Sequence, residues 1–481
     1  MHLYENLIAY SETDSYPYHM PGHKRRLHGN LPPEMMKLDI TEIDGFDNLH
    51  EPKDLLKQLQ ARAAVLYSAK SSYFLVNGST CGILSAVSAA LPEGGHILMA
   101  RNCHKSAYHA VYLRQLTVTY LYPPMLPGFE ICDAITPQQI QQALQKEPDI
   151  QAVLIVSPTY EGRIANVAAI ADIVHAKGIP LLVDEAHGAH LGLAEGFAGN
   201  SNQAGADIVI HSVHKTLPAL TQSAILHCNS DRVNRERLER FLHIYQSSSP
   251  SYLLMASIDN ALHVVEEKGK ELFHAFQTNY IHMLKELTAC KSLRFVTGTS
   301  SKQDIGKLVI DCRYAGISGK QLYDILREDY HLQLEMACED YCLAMFTIGD
   351  DTTAYERMVG ALLEIDSKRT LTQLQTKENE FLPGTVQMPE KNSPFALPLA
   401  KAWDMPWEEL PLQQAIGYRV ADFVNLYPPG VPVLLPGEVL TEDIYHQLVR
   451  CLEQGLQVQG ITKENERYTL KCIKGNHIQG R

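Results

Sequence analysis

The sequence predicts an α/β protein: a large domain on a mostly parallel, doubly wound sheet, then a smaller α+β domain and a C-terminal domain. Three observations carry this. Between residues 73 and 226, short apolar runs alternate with stretches whose apolar residues recur at helical spacing, the alternation that builds parallel sheets with crossover helices. Several of these runs lead straight into residues able to do chemistry, and the carboxyl ends of strands are where open α/β sheets bind ligands. Near residue 290 the pattern changes to strands and helices in mixed order.

Taken in order, residues 1–57 contain little periodic structure but many polar special residues, including Tyr18-His19-Met20-Pro21-Gly22-His23-Lys24 and Asp39-Ile40-Thr41-Glu42-Ile43-Asp44-Gly45-Phe46-Asp47. They read as an arm or docking segment. From Pro52 to Ser68, Leu55, Leu56, Leu59 and Val65 form a helical stripe. The large domain is expected over 58–290. Its first strand, Tyr73–Val76, runs into Asn77-Gly78-Ser79-Thr80-Cys81-Gly82 and an Ala/Leu-rich helix. Glycine, hydroxyls and a helix start suit an anion, because free backbone N–H groups and the helix dipole favour negative charge; the plainer reading is an N-cap at Ser79 or Thr80. No Lys-Ser/Thr follows at Walker spacing. A strand at His96–Ala100 leads to Arg101-Asn102-Cys103-His104-Lys105-Ser106, and strands recur at Thr117–Leu121, Ala152–Val156, Leu181–Val183 and Ile208–Ile210, with helices at Thr136–Gln145 and Val167–Ala176.

The smaller domain is expected over 291–370, with strands Arg294–Thr297, Lys307–Asp311 and Ala344–Thr347 and helices Gly319–Glu328 and Thr353–Leu363. The charged stretch Lys368–Glu380 suggests a boundary. A C-terminal domain over 371–481 carries the Pro/Gly-rich run Tyr427-Pro428-Pro429-Gly430-Val431-Pro432 and Leu435-Pro436-Gly437-Glu438.

Composition narrows the partners. The 481 residues are 45% hydrophobic and carry a net charge of −13 with no sustained basic run, so neither nucleic acid nor an anionic membrane is expected to bind; a cationic substrate suits the charge. Ten cysteines without a CxxC pair read as reduced thiols of the cytosol. The N-terminal stretch lacks a signal-peptide pattern and no apolar run approaches a membrane span, so a cytoplasmic location is expected.

The chemistry concentrates at two strand ends. Ala206–Ile210 closes on Ser212-Val213-His214-Lys215-Thr216, and Ile179–Val183 on Asp184-Glu185-Ala186-His187-Gly188-Ala189-His190. Asp184 and Lys215 lie about one strand–helix–strand unit apart, which places them at neighbouring carboxyl ends. A partly shielded lysine can lose its proton and act as a nucleophile, although most lysines after strands are solvated charges. The DEAH tetrapeptide is not a helicase signature here, because the phosphate loop is absent. Two HxxH pairs, His187/His190 and His211/His214, lack the i, i+4 helix spacing and an obvious third ligand, so no metal is expected. Together, a phosphate anchor, an aspartate, a lysine and histidine-bearing loops match an aldehyde cofactor with a phosphate and a pyridine ring. The lysine would bind the aldehyde and the carboxylate would keep the ring nitrogen protonated, with His104 a candidate to stack on the ring.

At these residues the chain resembles the bacterial ornithine/lysine/arginine decarboxylases, pyridoxal 5′-phosphate enzymes of the aspartate-aminotransferase fold (fold type I), in the short form without an N-terminal wing domain. The likeness runs through HMPGHK (19–24), DITEIDGFDNLHEP (39–52), VNGST (76–80), RNCHKS (101–106), SPTYEG (157–162), DEAHGAH (184–190), SVHKT (212–216) and YPPGVPVLLPGE (427–438). DEAHG before SVHK is its most specific part; the YPPG and LPGE segments separate it from acyl-transferring relatives. The resemblance implies Lys215 as the lysine that binds the cofactor aldehyde, Asp184 at the pyridine nitrogen, His187 beside the ring hydroxyl and His104 stacked on the ring, with Ser79, Thr80, Ser212 and His214 around the phosphate. It also implies a homodimer or higher even oligomer with sites at the interface, Ser248 and Ser249 reaching the neighbouring phosphate. Where relatives have a GRI-type sequence this chain reads Gly417-Tyr418-Arg419-Val420, so Arg419 is given no role. The implied reaction is decarboxylation of a basic amino acid, L-arginine to agmatine and CO2 first, lysine or ornithine next; an aminotransferase or a non-catalytic pyridoxal-phosphate-binding protein are the alternatives. Asp44, Asp47, Glu339 and Asp340 are candidates to pair with a guanidinium.

Overall fold

The computed structural model describes residues 2–27, 29–369, 396–427, 430–464 and 467–477. The lead segment holds two helices, α1 (Leu3–Ser11) and α2 (Pro33–Leu38), where sequence periodicity gave none; α1 buries only Leu3 and Leu7, too few to mark a stripe. Next is α3 (Leu55–Leu66), whose approach is organised by Asp47: its carboxylate accepts the backbone N–H groups of Lys53, Asp54 and Leu56 at 3.0, 2.9 and 3.0 Å. Then β1 (Ser71–Leu75), α4 (Gly78–Ala90), β2 (His96–Ala100), α5 (Lys105–Leu113), β3 (Thr117–Leu121), α6 (Pro137–Lys146), β4 (Ala152–Val156), α7 (Val167–His175), β5 (Leu181–Asp184), β6 (Ile208–His211), the single turn α8 (Val213–Thr216), β7 (Ala224–Cys228), α9 (Arg235–Tyr245) and the long α10 (Tyr252–Leu287) follow. The crossover helices start where their caps allow. Thr136 accepts from the Gln139 N–H with Pro137 in the first turn, and Asn166 accepts from the Ala169 N–H.

The chain falls into two units, residues 1–92 with 166–274, and 93–165 with 275–481. The first carries the strand order β1-β7-β6-β5. β5 and β6 run parallel, with Val183 opposite Val209 and Asp184 opposite Ile210; β7 runs against both of its neighbours. All four residues of β5 and of β6 are buried, as continuous apolar strands covered on both faces must be.

The second unit carries β4-β2-β3, all parallel. It also carries an antiparallel sheet in the order β10-β11-β9-β8, of β8 (Arg294–Phe295), β9 (Lys307–Asp311), β10 (Met336–Ala337) and β11 (Tyr341–Met345), with α11 (Gly319–Asp329) and α12 (Thr352–Ser367). The strand expected at Ala344–Thr347 sits three residues earlier, because Tyr341–Met345 is the stretch that pairs with Asp311–Lys307. α11 starts hard against this sheet: a Cβ on Gly319 would lie 2.3 Å from the carbonyl oxygens of Cys338 and Tyr341. After α13 (Leu399–Ala402), the C-terminal part adds β12 (Trp407–Pro411), β13 (Tyr418–Val420), β14 (Val424–Leu426), β15 (Pro432–Leu434), α14 (Glu442–Glu453), β16 (Val458–Gln459), β17 (Ile461–Glu464) and β18 (Arg467–His477). Its core is made by Val420, Val424, Leu434, Ile444, Leu448 and Leu470. Most of the charged stretch read as a boundary, from residue 370 on, lies outside the described residues. All ten cysteines are free thiols, and among the described residues no helix is long and apolar enough to cross a membrane.

Candidate active site

Because β5 and β6 are parallel neighbours, their carboxyl ends deliver Asp184 and the Ser212–Lys215 turn to one edge of the first unit. Asp184 is buried and its Oδ1 accepts the Ala186 N–H at 3.1 Å. Burial pushes its carboxyl up, opposed by the charge of Lys215 and by that N–H. Lys215 Nζ lies 3.0 Å from His187 Nε2. An ammonium can only donate, so Nε2 is the acceptor and the ring proton sits on Nδ1. His214 Nδ1 donates to the Ser223 carbonyl at 2.8 Å, and burial holds its pKa below the usual histidine range. Ser212 Oγ and Thr216 Oγ1 are buried with no hydrogen-bond partner among the described residues.

α4 brings Ser79 and Thr80 to the same unit. It can approach because residue 82 is glycine: a Cβ there would lie 2.7 Å from Leu75 Cδ1 and 3.1 Å from Ile210 Cγ2. The helix is therefore seated on β1 and on β6, two residues ahead of Ser212. Neither Ser79 nor Thr80 is the N-cap: Asn77 holds that position without a side-chain capping bond, and Gly78 turns at φ +70° with its N–H on the Gln222 carbonyl at 2.9 Å. A turn of this kind suits glycine.

Behind the strand ends runs a buried chain that the sequence did not announce. Ser72 Oγ is 2.7 Å from His227 Nδ1, His227 Nε2 3.1 Å from His211 Nδ1, and His211 Nε2 3.1 Å from Glu185 Oε1, while Glu185 Oε2 accepts the Ser201 N–H at 2.9 Å. His211, weighed above for metal, is thus engaged by Glu185 and His227.

The other candidates lie as follows. His104 belongs to the second unit, where its Nδ1 caps α5 by accepting from the Ser106 N–H at 3.2 Å. A Cβ on Gly430 would touch its ring at 3.6 Å, so the YPPG segment reaches the RNCHKS loop. The tie between these distant motifs is Arg101, fully buried, which donates to the Pro432 and Val433 carbonyls at 2.7 and 3.2 Å and to Glu438 at 2.9 Å. Ser248 and Ser249 are exposed, and Ser249 Oγ donates to Glu42 at 3.2 Å. Of the acids considered for a guanidinium, Asp47 is spent on backbone N–H groups and Glu339 is paired with Arg450 at 3.1 Å. Asp44 is exposed, and burial with the charge of Glu339 raises Asp340 to about 7. Arg419 bridges Val439. Glu161, inside the SPTYEG segment, is a further acid with no signal of its own in the residue pattern; its carboxylate accepts from the Tyr341 hydroxyl at 3.0 Å and from the Thr159 hydroxyl, and burial raises its pKa.

The residues of the first unit fit pyridoxal phosphate. The amine has a basic neighbour, the acid is buried, and an unpartnered serine hydroxyl stands close in sequence to the lysine, where a phosphate oxygen would satisfy it.

The comparisons with known proteins agree. The family model for the Orn/Lys/Arg decarboxylase major domain matches residues 2–308, and that for the Orn/Lys/Arg decarboxylase C-terminal domain matches 387–474. An arginine decarboxylase of Bacillus subtilis is 30% identical over 98% of this chain and 97% of its own length, and one of Bacillus anthracis is 31% identical over the same shares. Among solved structures, lysine decarboxylase A from Pseudomonas aeruginosa superposes with a TM-score of 0.82 at 18% identity over 98% of this chain and 80% of its own. The lysine decarboxylase of Francisella novicida gives 0.80 at 18%, over 98% and 81%. These likenesses show the fold-type I α/β architecture, and the family matches show that the chain belongs to the Orn/Lys/Arg decarboxylases.

Proposed function

We propose that the protein is a pyridoxal-phosphate-dependent decarboxylase converting L-arginine to agmatine and CO2 in the cytoplasm, as a homodimer or higher even oligomer, with lysine and ornithine the next substrates to test. The observation that carries it is the Lys215–His187–Asp184 arrangement at adjacent strand ends of a chain matched end to end by arginine decarboxylases of two Bacillus species. Lys215 would hold the cofactor through Nζ; His187, neutral on Nε2, would take the proton that Lys215 Nζ must lose to be a nucleophile. Asp184 holds a proton at the pyridine nitrogen, for which its burial leaves no competing water. Ser79, Thr80, Ser212 and His214 bind the phosphate, and His104 covers the ring face. When bound, the cofactor supplies the aldehyde that captures the amine and a ring that accepts the electron pair left by departing CO2. A proton returned to Cα then completes agmatine.

The test is product analysis of the purified protein with cofactor and each of arginine, lysine and ornithine. Stoichiometric CO2 and agmatine from arginine are expected. Amino transfer to 2-oxoglutarate without CO2 would overturn the proposal.

A further inference from the structure

We infer that Glu161 is the residue that reads the substrate's guanidinium, from a small cavity within the second unit; the inference deepens the decarboxylase reading and rests on it. The cavity, of about 80 Å³, is lined by Asn102, Tyr160, Glu161, Cys338, Tyr341 and Val433, among others. Two of its polar groups lack a charged or complete complement. The Glu161 carboxylate takes hydrogen bonds from the Tyr341 hydroxyl, the Thr159 hydroxyl and its own backbone N–H, but has no cation within ion-pair distance among the described residues, although the charge of Lys307 acts on it from farther away. Asn102 Oδ1 is buried with no hydrogen-bond partner among the described residues. The cavity's other carboxylate, Glu130, is engaged by Arg313 at 3.0 Å.

A largely shielded carboxylate without a cation is costly, and desolvation raises its pKa until a cation arrives. A planar group with several N–H donors answers both acceptors, and the rings of Tyr160 and Tyr341 suit its flat face. An anion would meet Glu161 unfavourably, and an apolar group would leave Asn102 Oδ1 without a donor and the Glu161 charge without a cation.

Position within the unit supports a role in substrate binding. Asn102 stands two residues from His104, and the cavity's Val431–Val433 wall follows Gly430, which packs on the His104 ring. The cavity therefore shares its walls with the two segments that meet at the ring-stacking candidate. Asp47 and Glu339, by contrast, are already committed to backbone N–H groups and to Arg450.

The experiment compares wild-type and Glu161→Gln holoenzyme by arginine kinetics and by calorimetric titration with agmatine, which keeps the guanidinium and lacks the carboxylate. The variant should retain the absorbance of the lysine-bound cofactor. Its arginine KM and agmatine Kd should rise at least tenfold while kcat changes less than threefold, the pattern of lost uniform binding. If Glu161→Gln does not fold, Asn102→Ala should move both constants about threefold in the same direction. KM and Kd within twofold of wild type in a folded variant overturn the inference and leave the decarboxylase reading standing. Agmatine binding that depends on Glu161, in a protein that releases no CO2, would keep the subsite and sink the reading.

Discussion

The tie between Arg101 and Glu438 offers a quantitative test of how the C-terminal part is held to the loop that carries His104. Arg101 is fully enclosed, and its guanidinium bonds Glu438 at 2.9 Å and the carbonyls of Pro432 and Val433 at 2.7 and 3.2 Å; Glu438 also accepts the Leu435 N–H at 2.8 Å. Glu438→Gln keeps the shape and an acceptor but strands a buried cation, a change that costs about 3–5 kcal/mol in comparable settings. Arg101→Met strands a carboxylate and orphans two carbonyls, each worth about 1–3 kcal/mol, so it should be the more damaging. Arg101→Met with Glu438→Leu removes both charges and should recover part of the loss, because the two sites are coupled. The assay is built in: the only two tryptophans, Trp403 and Trp407, lie in this part of the chain, and Trp403 packs edge-on against Phe423 with centroids 4.8 Å apart. In urea, followed by tryptophan fluorescence, Glu438→Gln should lower the midpoint by roughly 1 M if the slope is about 3 kcal/mol/M. A loss under about 1 kcal/mol, or Arg101→Met milder than Glu438→Gln, would refute the reasoning.

Three further outcomes are expected. Asp184→Ala should retain bound cofactor, seen as its visible absorbance, and lose at least ~10²-fold in turnover, because the ring nitrogen loses the acid that keeps it protonated. Asp340→Asn should change stability with a definite sign. The folded protein raises this carboxyl to about 7, so the folded state holds the proton more tightly than the unfolded one, and the associated stability is present below about pH 4 and lost as pH rises to 7. The variant should therefore gain roughly 2–4 kcal/mol at pH 8 and nothing near pH 4, read by urea melts at both. Gly82→Ala should push α4 from Leu75 and Ile210 at about 1–3 kcal/mol and weaken cofactor affinity, measured by titrating apoprotein with pyridoxal phosphate.

The strands at 96–100, 117–121, 152–156 and 307–311 were legible in sequence to the residue because each is a short β-prone segment, an apolar run at 97–100, 152–156 and 308–310 and a Thr/Val/Tyr alternation at 117–121. Apolar continuity also exposed Asp184 and Lys215 at the strand ends. α1 was not legible: it is held by two buried leucines and by the Leu3 N–H on Asp259 at 2.9 Å, a partner 256 positions away. Asp47 looked like a free acid because its work is done on backbone N–H groups, which leave no trace in side-chain patterns. Glu185 and Glu161 were hidden for the related reason that their partners, His211 and Tyr341, are set by folding and not by spacing. Motif order located the first unit's site; the geometry of charge compensation came only with the fold.

Decarboxylation at this site requires the cofactor to be bonded to one particular amine. Reducing the holoenzyme with borohydride, digesting it and mapping the pyridoxyl-phosphate mass tag by peptide sequencing reads that bond directly. The tag is predicted on Lys215, in the peptide containing Ser212-Val213-His214, and on no other lysine. A tag on a different lysine, or none despite full cofactor loading, would contradict it.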